Sequence, residues 1–301
     1  MTHTFLTRKR NGLEWLIAPG LAQFPWLLHA FSTRVGGMSG PPAGGLSLGK
    51  SVGRQPASVL ANRAAFLAVL GAKKFSLASA HQVHSAEILE AVRLSGGKLQ
   101  YRPAGCPEKA MRGVPRADAM LTQDRGVLLS VRSADCLPIL VVDPQSRAVA
   151  AIHAGWRGAL KRIAEKAVGE MRRVLGSDPH RLFAALGPCI GPCCYEVGAE
   201  VLDSFSGEFT GAERYFKSLE ESRPIQASRP SHPLLTKRAP GGLPRSLDIP
   251  AVVRDQLRRA GLPDSHIEAA GLCSSCHPEL FFSYRSEGDA AGRMMAVIGV
   301  R

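Results

Sequence analysis

Residues 136–153 read CLPILVVDPQSRAVAAIH and predict a β-hairpin. The runs LPILVV and AVAAIH are short and apolar, as expected of buried strands, and DPQS between them is a turn signal. In a two-residue turn centred on Pro144 and Gln145, Cys136 lies directly opposite His153, with Cβ atoms about 4.5–5.5 Å apart. The hairpin therefore predicts a thiol and an imidazole within reach of one metal ion. A loop one residue longer or shorter would break this pairing.

Further elements are predicted on both sides of the hairpin. Helical periodicity predicts one helix over 158–175, ended by Gly176, and a second over 248–260, capped by Asp248. Because strands and helices do not alternate strictly, we expect an α+β fold, a mixed α/β domain with a β-sandwich-like core. Apolar runs predict three more strands, at 126–131, 183–187 and 294–300.

Two segments without periodicity are predicted to be long loops of a single domain spanning residues 1–301. Residues 94–116 mix Gly, Pro and charged residues, and residues 222–246 combine five Pro with five Lys or Arg and no acidic residue. Such a composition does not bury enough apolar surface to fold alone. We interpret 222–246 as an excursion from one domain rather than a linker, because few strand and helix signals follow it.

The composition is that of a globular protein. Of 301 residues, 45% are hydrophobic and 21% are charged, which is ordinary for a folded chain. No apolar run reaches transmembrane length, and the first residues lack the apolar segment of a secretory signal. We therefore expect a cytoplasmic protein with no membrane partner. A reducing cytoplasm leaves the seven cysteines available as metal ligands or nucleophiles.

The net charge of +13 and the pI near 9.8 admit three interpretations. These are binding to nucleic acid or another polyanion, binding of small anionic substrates, and a generally basic proteome. The basic residues come in short pairs such as Lys73-Lys74 and Arg172-Arg173, which are typical of solvated helix faces. Nucleic acid is therefore not the expected partner, and a non-enzymatic basic binding protein is the least favoured hypothesis.

A third metal ligand is available in HQVH at residues 81–84, just before an alternating run. In a strand, His81 and His84 would point to opposite faces, so only one of them can join Cys136 and His153. Three nitrogen and sulfur ligands leave one coordination position of a tetrahedral zinc ion open, which is the catalytic pattern. The same ligand set also suits copper.

Two arginines in glycine-flanked segments are candidates for binding an anion. Arg157 lies in AGWRG directly after His153, where two glycines permit close backbone approach and a helix begins. The alternative for Arg157 is a surface side chain stacked on Trp156. Arg34 in STRVGG has a similar setting with weaker support.

With these residues in view, the chain resembles the YfiH-type laccase-domain family, also called multicopper polyphenol oxidase-like or purine nucleoside phosphorylase-like proteins. The combination of ADCLPI and HAGWRG is highly specific for this family. The matching stretches cover nearly the whole chain in order: FSTRVGGMSG (31–40), HQVHSAEI (81–88), DAMLTQDRGVLLSVRSADCLPILVVDP (118–144), AIHAGWRG (151–158), LGPCIGPCCYEVG (186–198) and FFSYRSEGDAAGRMMAVIGV (281–300).

The resemblance implies zinc bound by His84, Cys136 and His153, and it selects His84 over His81. It also implies a fold related to bacterial toxin cysteine hydrolases. The implied activity is that of a purine nucleoside phosphorylase and adenosine deaminase: phosphorolysis of adenosine, inosine, guanosine and methylthioadenosine, and deamination of adenosine. The implied partners are purine nucleosides and phosphate. Some members are described as editing peptidoglycan precursors, and older descriptions name a copper laccase.

The chain departs from the family pattern in GLSLG at residues 45–49, where Ser47 replaces the usual Asn at a position that would bind substrate. The runner-up hypothesis is an amide hydrolase acting on muropeptide precursors, with Cys136 as nucleophile and His153 as base. Copper oxidase activity fits less well, because multicopper chemistry needs several histidine clusters and nine scattered histidines provide one convincing site.

The remaining cysteines have a possible metal role of their own. Two pairs with short spacings would supply the four ligands of a structural zinc site, although the spacing in CIGPC is loose and the family does not require such a site. The candidate ligands are Cys189, Cys193 or Cys194, Cys273 and Cys276.

Overall fold

The computed structural model describes residues 5–41, 44–49, 56–106, 108–111, 113–218 and 245–301. The predicted excursion at 222–246 lies outside these ranges except for Arg245 and Ser246, which begin a strand. The prediction of one domain over residues 1–301 therefore stays a prediction for that segment.

The described residues form sixteen strands and seven α-helices. The helices are α1 (Pro19–Ala22), α2 (Pro56–Val69), α3 (Trp156–Leu160), α4 (Ile163–Leu175), α5 (Ala199–Glu208), α6 (Ile249–Arg259) and α7 (Tyr284–Glu287). The strands are β1 (Leu6–Arg10), β2 (Leu13–Ile17), β3 (Leu27–Ser32), β4 (Ser76–Ser79), β5 (Ile88–Arg93), β6 (Leu99–Pro103), β7 (Ala119–Thr122), β8 (Val127–Ser133), β9 (Leu137–Val142), β10 (Val149–Ala154), β11 (Phe183–Leu186), β12 (Glu196–Val197), β13 (Phe216–Ser218), β14 (Arg245–Leu247), β15 (Ile267–Ala269) and β16 (Met294–Val300).

Two large mixed sheets pack face to face. The first has the strand order β1-β2-β3-β16-β8-β4 and the second the order β15-β11-β9-β10-β7-β5-β6, while β12, β14 and β13 form a small third sheet. Leu129 and Ile298 of the first sheet share one buried cluster with Leu140 and Ala151 of the second. The mixed α/β fold with a β-sandwich-like core is thereby confirmed.

Helices cover the outer face of each large sheet, so the central strands are buried on both sides and read as continuous apolar runs. Along β9, Leu140 faces the other sheet, whereas Ile139 packs in the cluster that contains Val168 of α4 and Val253 of α6. On the first sheet, Phe66 of α2 packs in the outer cluster. The molecule therefore has four layers: helix, sheet, sheet and helix.

The hairpin of β9 and β10 forms, but its predicted register is wrong by two residues. His153 pairs with Pro138, and Leu137 pairs with Ala154. The loop is longer than predicted because the Asp143 carboxylate accepts hydrogen bonds from the backbone of Gln145 at 2.8 Å and from the Ser146 hydroxyl at 2.8 Å. A shift of two residues keeps every side chain on its face, so Cys136 and His153 remain diagonal neighbours on one side of the sheet.

The helix predicted over 158–175 is two helices, α3 and α4. Arg162 between them adopts a left-handed conformation, with φ of 59° and ψ of 40°, which a periodicity argument does not detect. The buried Gln256 side chain of α6 donates to the Ala159 carbonyl of α3 at 2.6 Å and thus satisfies a polar group near the break. Gly176 ends α4 in the left-handed conformation, as predicted.

The segment 94–116 is not wholly a loop, because it contains β6. This strand pairs with β5 at the edge of the second sheet, and its five residues are only partly buried. An edge strand of this kind lacks the alternation of a strand with one buried face.

The other predicted elements are present. The strands predicted at 126–131, 183–187 and 294–300 are β8, β11 and β16. Asp248 caps α6, because its side chain accepts a hydrogen bond from the Ala251 N–H at 3.0 Å.

Candidate metal centre

Cys136 lies directly before β9, at one end of the second sheet. The preceding residue, Asp135, has a φ of 102°, which is rare for a residue other than glycine. Its buried carboxylate accepts hydrogen bonds from the Ser274 hydroxyl at 2.7 Å and from the Arg285 N–H at 2.6 Å, and burial raises the pKa of this carboxyl. The strained conformation is therefore held by Ser274 and Arg285, which are distant in sequence, and it fixes the backbone next to Cys136.

His153 in β10 is buried and is oriented by Asp118, the residue before β7. The distance between Nδ1 of His153 and Oδ1 of Asp118 is 2.9 Å. Because an ionised carboxylate only accepts hydrogen bonds, Nδ1 carries the proton in this pair. Nε2 of His153 is then the nitrogen that is left to bind a metal.

His84 lies in a turn before β5 rather than in a strand, and its φ is 57°. Asp118 holds this turn as well, because its carboxylate accepts hydrogen bonds from the N–H groups of His84 at 3.0 Å and Ser85 at 2.6 Å. The premise that His81 and His84 lie on opposite faces of one strand is therefore wrong. The selection of His84 nevertheless agrees with the geometry, since His84 joins Cys136 and His153 in one group of potential ligands.

The three predicted ligands converge at one point of the structure. One donor atom from each of His84, Cys136 and His153 lies within 4.8 Å of the others, and Sγ of Cys136 is 3.6 Å from Nε2 of His84. A Cβ atom at Gly155 would lie 2.9 Å from Cδ2 of His84 and 3.0 Å from Sγ of Cys136. Glycine at this position therefore leaves the space that the ligands need.

Charge interactions in the cluster favour the ionised form of the thiol. Burial opposes ionisation of Cys136, but the His153 and His84 rings outweigh it and lower the pKa of Cys136 to about 6. Burial also disfavours the charged form of His153, but Cys136 and Asp118 raise the pKa of His153 to about 9. For Asp118, hydrogen bonds from His153 and Ser85 overcome burial and hold the pKa well below its usual range. Without a metal, the cluster is a thiolate and imidazolium pair.

The residues present fit a single borderline-soft metal ion. One thiolate and two imidazole nitrogens are the donor types that zinc binds, and the Asp118 carboxylate supplies the outer hydrogen bond that metal-bound histidines usually make. His84 is exposed and Cys136 is partly exposed, so one side of the cluster is open to solvent. Three ligands with an accessible side are typical of a catalytic rather than a structural site.

A cationic and aromatic surface lies next to the cluster. The Tyr195 hydroxyl group keeps its proton, because burial and the neighbouring Cys136 raise its pKa, while Arg285 and Arg157 act in the opposite direction. The guanidinium of Arg285 is 5.1 Å from the Tyr195 ring centre. Arg157 is exposed and stacks on Trp156 at 4.3 Å. The stacking expected as the alternative is thus present, and it holds Arg157 near Tyr195.

Arg34 and Ser47 are in different surroundings. Nη1 of Arg34 donates to the Glu287 carboxylate at 2.7 Å and to the Pro278 carbonyl at 2.9 Å. Ser47 is fully buried, and its hydroxyl accepts a hydrogen bond from the Arg293 N–H at 3.2 Å. Both side chains are therefore engaged by other residues of the chain, and a substrate-binding role for Arg34 and Ser47 stays a prediction.

The sequence interpretation missed Asp118 and Tyr195, and it did not connect Gly155 with the metal ligands. Asp118 lies in the stretch DAML, but nothing local indicates that its carboxylate reaches both histidines. The proximity depends on the pairing of β7 with β10. Tyr195 follows two cysteines, which drew attention to the thiols alone. Close approach at Gly155 is predictable from sequence, but the groups that approach it, the His84 and Cys136 side chains, are not.

Comparison with known proteins agrees with this fold. Residues 28–301 match the family described as multi-copper polyphenol oxidoreductase laccase. The chain belongs to this family. A relative from Geobacillus stearothermophilus, named purine nucleoside phosphorylase YlmD, is 33% identical over 94% of this chain and 93% of its own length. Adenosine deaminase RL5, from an unknown prokaryotic organism, is 33% identical over 88% of this chain and 91% of its own length.

A solved structure confirms the fold of the family. The YfiH protein from Bacillus licheniformis superposes with a TM-score of 0.79 and 28% identity, covering 98% of this chain and 99% of that one. The two relatives above are enzymes by name, and they confirm the prediction that this chain is an enzyme. Among the described residues, no helix has both the length and the apolarity to cross a membrane.

Proposed function

We propose that the chain is a zinc-dependent purine nucleoside enzyme that cleaves nucleosides with phosphate and deaminates adenosine. The observation that carries the proposal is the convergence of His84, Cys136 and His153 within 4.8 Å, with Nδ1 of His153 engaged by Asp118. The names of the two relatives supply the substrate class. The proposed substrates are adenosine, inosine, guanosine and methylthioadenosine, together with phosphate.

Zinc is the proposed metal because the site offers three ligands of which one is a thiolate. When bound, the ion supplies Lewis acidity to a substrate oxygen or to water. Copper remains the alternative on ligand chemistry alone. The described residues contain two potential metal clusters, and one of them has no histidine, so the set of histidine clusters that multicopper oxidation requires is not present in this part of the chain.

The residues beside the metal ligands have the chemistry that the two reactions need. Arg157 and Arg285 place positive charge around Tyr195, where a phosphate group would be attracted. Tyr195 keeps its proton and can donate a hydrogen bond to a substrate oxygen. Trp156 supports Arg157 through stacking and offers a flat apolar surface next to the cluster. Arg34 and Ser47 are left out of the proposed substrate site because their contacts are intramolecular.

Asp118 is a positioning residue in this proposal. Its carboxylate orients the ring of His153 and the turn that carries His84, so both imidazoles are held before substrate arrives. Preorganisation of this kind lowers the cost of ordering the site during the reaction. We also propose a cytoplasmic location, which the free thiols of the described cysteines support.

The thiolate and imidazolium pair would also suit an amide hydrolase with Cys136 as nucleophile. That function and the zinc enzyme need the same residues in incompatible states, because a nucleophilic thiolate must not be occupied by a metal. Neither relative described above is named as an enzyme that acts on peptidoglycan. The zinc enzyme is therefore the favoured function.

The test is to incubate adenosine with the purified enzyme in the presence and absence of phosphate and to separate the products. Without phosphate, we expect inosine and ammonia only. With phosphate, adenine and ribose 1-phosphate should also form, and inosine should be cleaved further to hypoxanthine and ribose 1-phosphate. Cys136→Ala is expected to abolish both reactions, while Cys106→Ser, which changes a cysteine outside the ligand group, serves as the matched control. If the wild-type protein leaves all four nucleosides unchanged after loading with zinc, the proposed function is wrong.

A further inference from the structure

Four cysteines outside the His84–Cys136–His153 centre converge on a second point. Their Sγ atoms all lie within 4.8 Å of one another, and all are free thiols. This group, called the four-cysteine cluster below, consists of Cys193, Cys194, Cys273 and Cys276.

Two turns bring these thiols together. The first turn begins at Gly191, whose carbonyl accepts a hydrogen bond from the Cys194 N–H at 3.0 Å. The second closes through a hydrogen bond from the His277 N–H to the Cys273 carbonyl at 3.2 Å. The turns are joined by the Gly191 N–H, which donates to Sγ of Cys273 at 3.3 Å. A backbone donor to sulfur stabilises the ionised form of a thiol.

Gly191 also lies against the point where the thiols meet. A Cβ atom at this position would lie 3.3 Å from Sγ of Cys193 and 3.7 Å from Sγ of Cys273. Cys189, which the sequence interpretation included, is not a member of the cluster: it is buried and forms an isolated backbone bridge with Cys273. Both Cys193 and Cys194 contribute instead of one of them.

A disulfide accounts for this arrangement less well than a metal ion. Sγ of Cys276 is 3.4 Å from Sγ of Cys193 and 3.4 Å from Sγ of Cys194, so it has two equally near partners, and one disulfide would leave two thiols unused. Simple burial is not an explanation either, because only Cys273 of the four is buried. Four thiolates around one zinc ion, at about 2.3 Å from it, lie roughly 3.8 Å from one another in a tetrahedron.

We propose a second, structural zinc site that is closed by the four thiolates of Cys193, Cys194, Cys273 and Cys276. Soft thiolate ligands select zinc over hard cations, and a closed set of four protein ligands is the structural pattern. The site shares no ligand with the His84–Cys136–His153 centre, so its existence does not depend on the proposed nucleoside chemistry.

Zinc in the four-cysteine cluster would stabilise the His84–Cys136–His153 centre. The segment around Gly191 and the segment 273–285 both hold Asp135: the Ile190 N–H donates to the Asp135 carbonyl at 2.8 Å, and Ser274 and Arg285 donate to its carboxylate. Asp135 in turn fixes the neighbouring Cys136. An ion that ties the two segments together therefore stabilises the strained residue that precedes the catalytic thiolate.

The experiment measures zinc content and sulfur coordination in purified protein. We expect about two zinc ions per chain in the wild type and in Cys106→Ser, and about one in Cys136→Ala and in Cys276→Ser. X-ray absorption at the zinc edge of Cys136→Ala, in which the four-cysteine cluster is untouched, is expected to show four sulfur neighbours at about 2.3 Å. This measurement decides the question even if Cys276→Ser does not fold.

A wild type with about one zinc ion, retained in Cys276→Ser and absent from Cys136→Ala, would overturn the proposal. So would nitrogen neighbours in the absorption spectrum of Cys136→Ala, or a disulfide at Cys276 found by peptide mapping of protein purified without reductant. Because zinc content and coordination are read directly, these outcomes do not depend on whether adenosine is a substrate.

Discussion

Oδ1 of Asp118 lies 2.9 Å from Nδ1 of His153, and the same carboxylate accepts the backbone N–H of His84 at 3.0 Å. One buried side chain thus positions two of the three proposed metal ligands. Metal affinity should therefore depend on a residue that does not itself bind the metal, as is common for the outer hydrogen bonds of metal sites.

Asp118→Asn tests this relationship while preserving side-chain volume. The amide oxygen of asparagine can still accept hydrogen bonds. The side chain, however, carries no negative charge to favour the Nδ1–H form of His153. We expect the zinc dissociation constant to rise about 10–100-fold, measured by competition with a chromophoric chelator. Asp203→Asn, which changes an exposed residue of α5, is the matched control. An unchanged zinc affinity in Asp118→Asn would contradict the positioning role.

Gly155→Ala tests the steric requirement of the centre. The φ of −80° and ψ of 178° at Gly155 are accessible to alanine, so the added methyl group acts through its clash with His84 and Cys136 rather than through the backbone. We expect weaker zinc binding and a large loss of turnover. Gly169→Ala in α4 meets no atom within 4 Å and should stabilise the protein by about 0.5–1 kcal/mol. Equal zinc affinity in the two variants would show that the space at Gly155 is not needed.

The assignment of His84 rather than His81 is tested by a pair of alanine variants. Both side chains are exposed, so neither substitution removes packing in the core. His84→Ala should weaken zinc binding by more than about 100-fold, beyond the cost of losing an outer hydrogen bond, and His81→Ala should bind zinc as the wild type does. Isothermal titration with zinc distinguishes the two variants, and the opposite order would mean that the ligand set is misassigned.

The ionisation of Cys136 predicts a pH dependence in the metal-free protein. The thiolate is the reactive form, and its pKa is lowered to about 6. Alkylation of Cys136 by iodoacetamide should therefore be fast above about pH 6 and slow down as the pH falls through this value. The rate is read by peptide mass spectrometry. In His153→Ala the lowering interaction is gone, so the midpoint should move upward; a wild-type midpoint near that of an ordinary thiol would contradict the charge pair.

The ionisation of Cys136 and His153 also predicts how the zinc affinity changes with pH. Zinc competes with protons for the His153 imidazole and the Cys136 thiolate, so the apparent affinity should fall as the pH drops below about 9 and fall more steeply below about 6. Between these two pH values, the raised pKa of His153, about 9, means that zinc must displace a proton from this imidazole. Proton release on zinc binding near pH 7.5, measured in weakly buffered solution, should therefore come from His153.

The strands of the central hairpin were predictable from sequence, but their register was not. Apolar runs locate β9 and β10, whereas the pairing depends on a loop whose length is set by the Asp143 side chain and by the left-handed conformation of Arg147. Cys136 and His153 still lie on the same face of the sheet, because the register error is two residues, an even number. An odd error would have moved one of them to the opposite face.

The candidate ligands could be named from sequence because metal-binding residue types are few and the family motifs that contain them are specific. Asp118 and Tyr195 could not, since carboxylates and phenols are common and their positions relative to the site follow from the tertiary fold. The break between α3 and α4 at Arg162 could not be predicted either. The apolar positions continue across it, and a helical period does not reveal a single left-handed residue.

The most direct test of the account is the turnover of adenosine by protein that has been stripped of metal and then titrated with zinc. We predict that the stripped protein is inactive, that activity returns as zinc fills the His84–Cys136–His153 centre, and that Cys136→Ala stays inactive at every zinc concentration. Full activity in the stripped protein, lost on zinc addition and absent from Cys136→Ala, would show that Cys136 acts as a free nucleophile and would contradict the zinc enzyme.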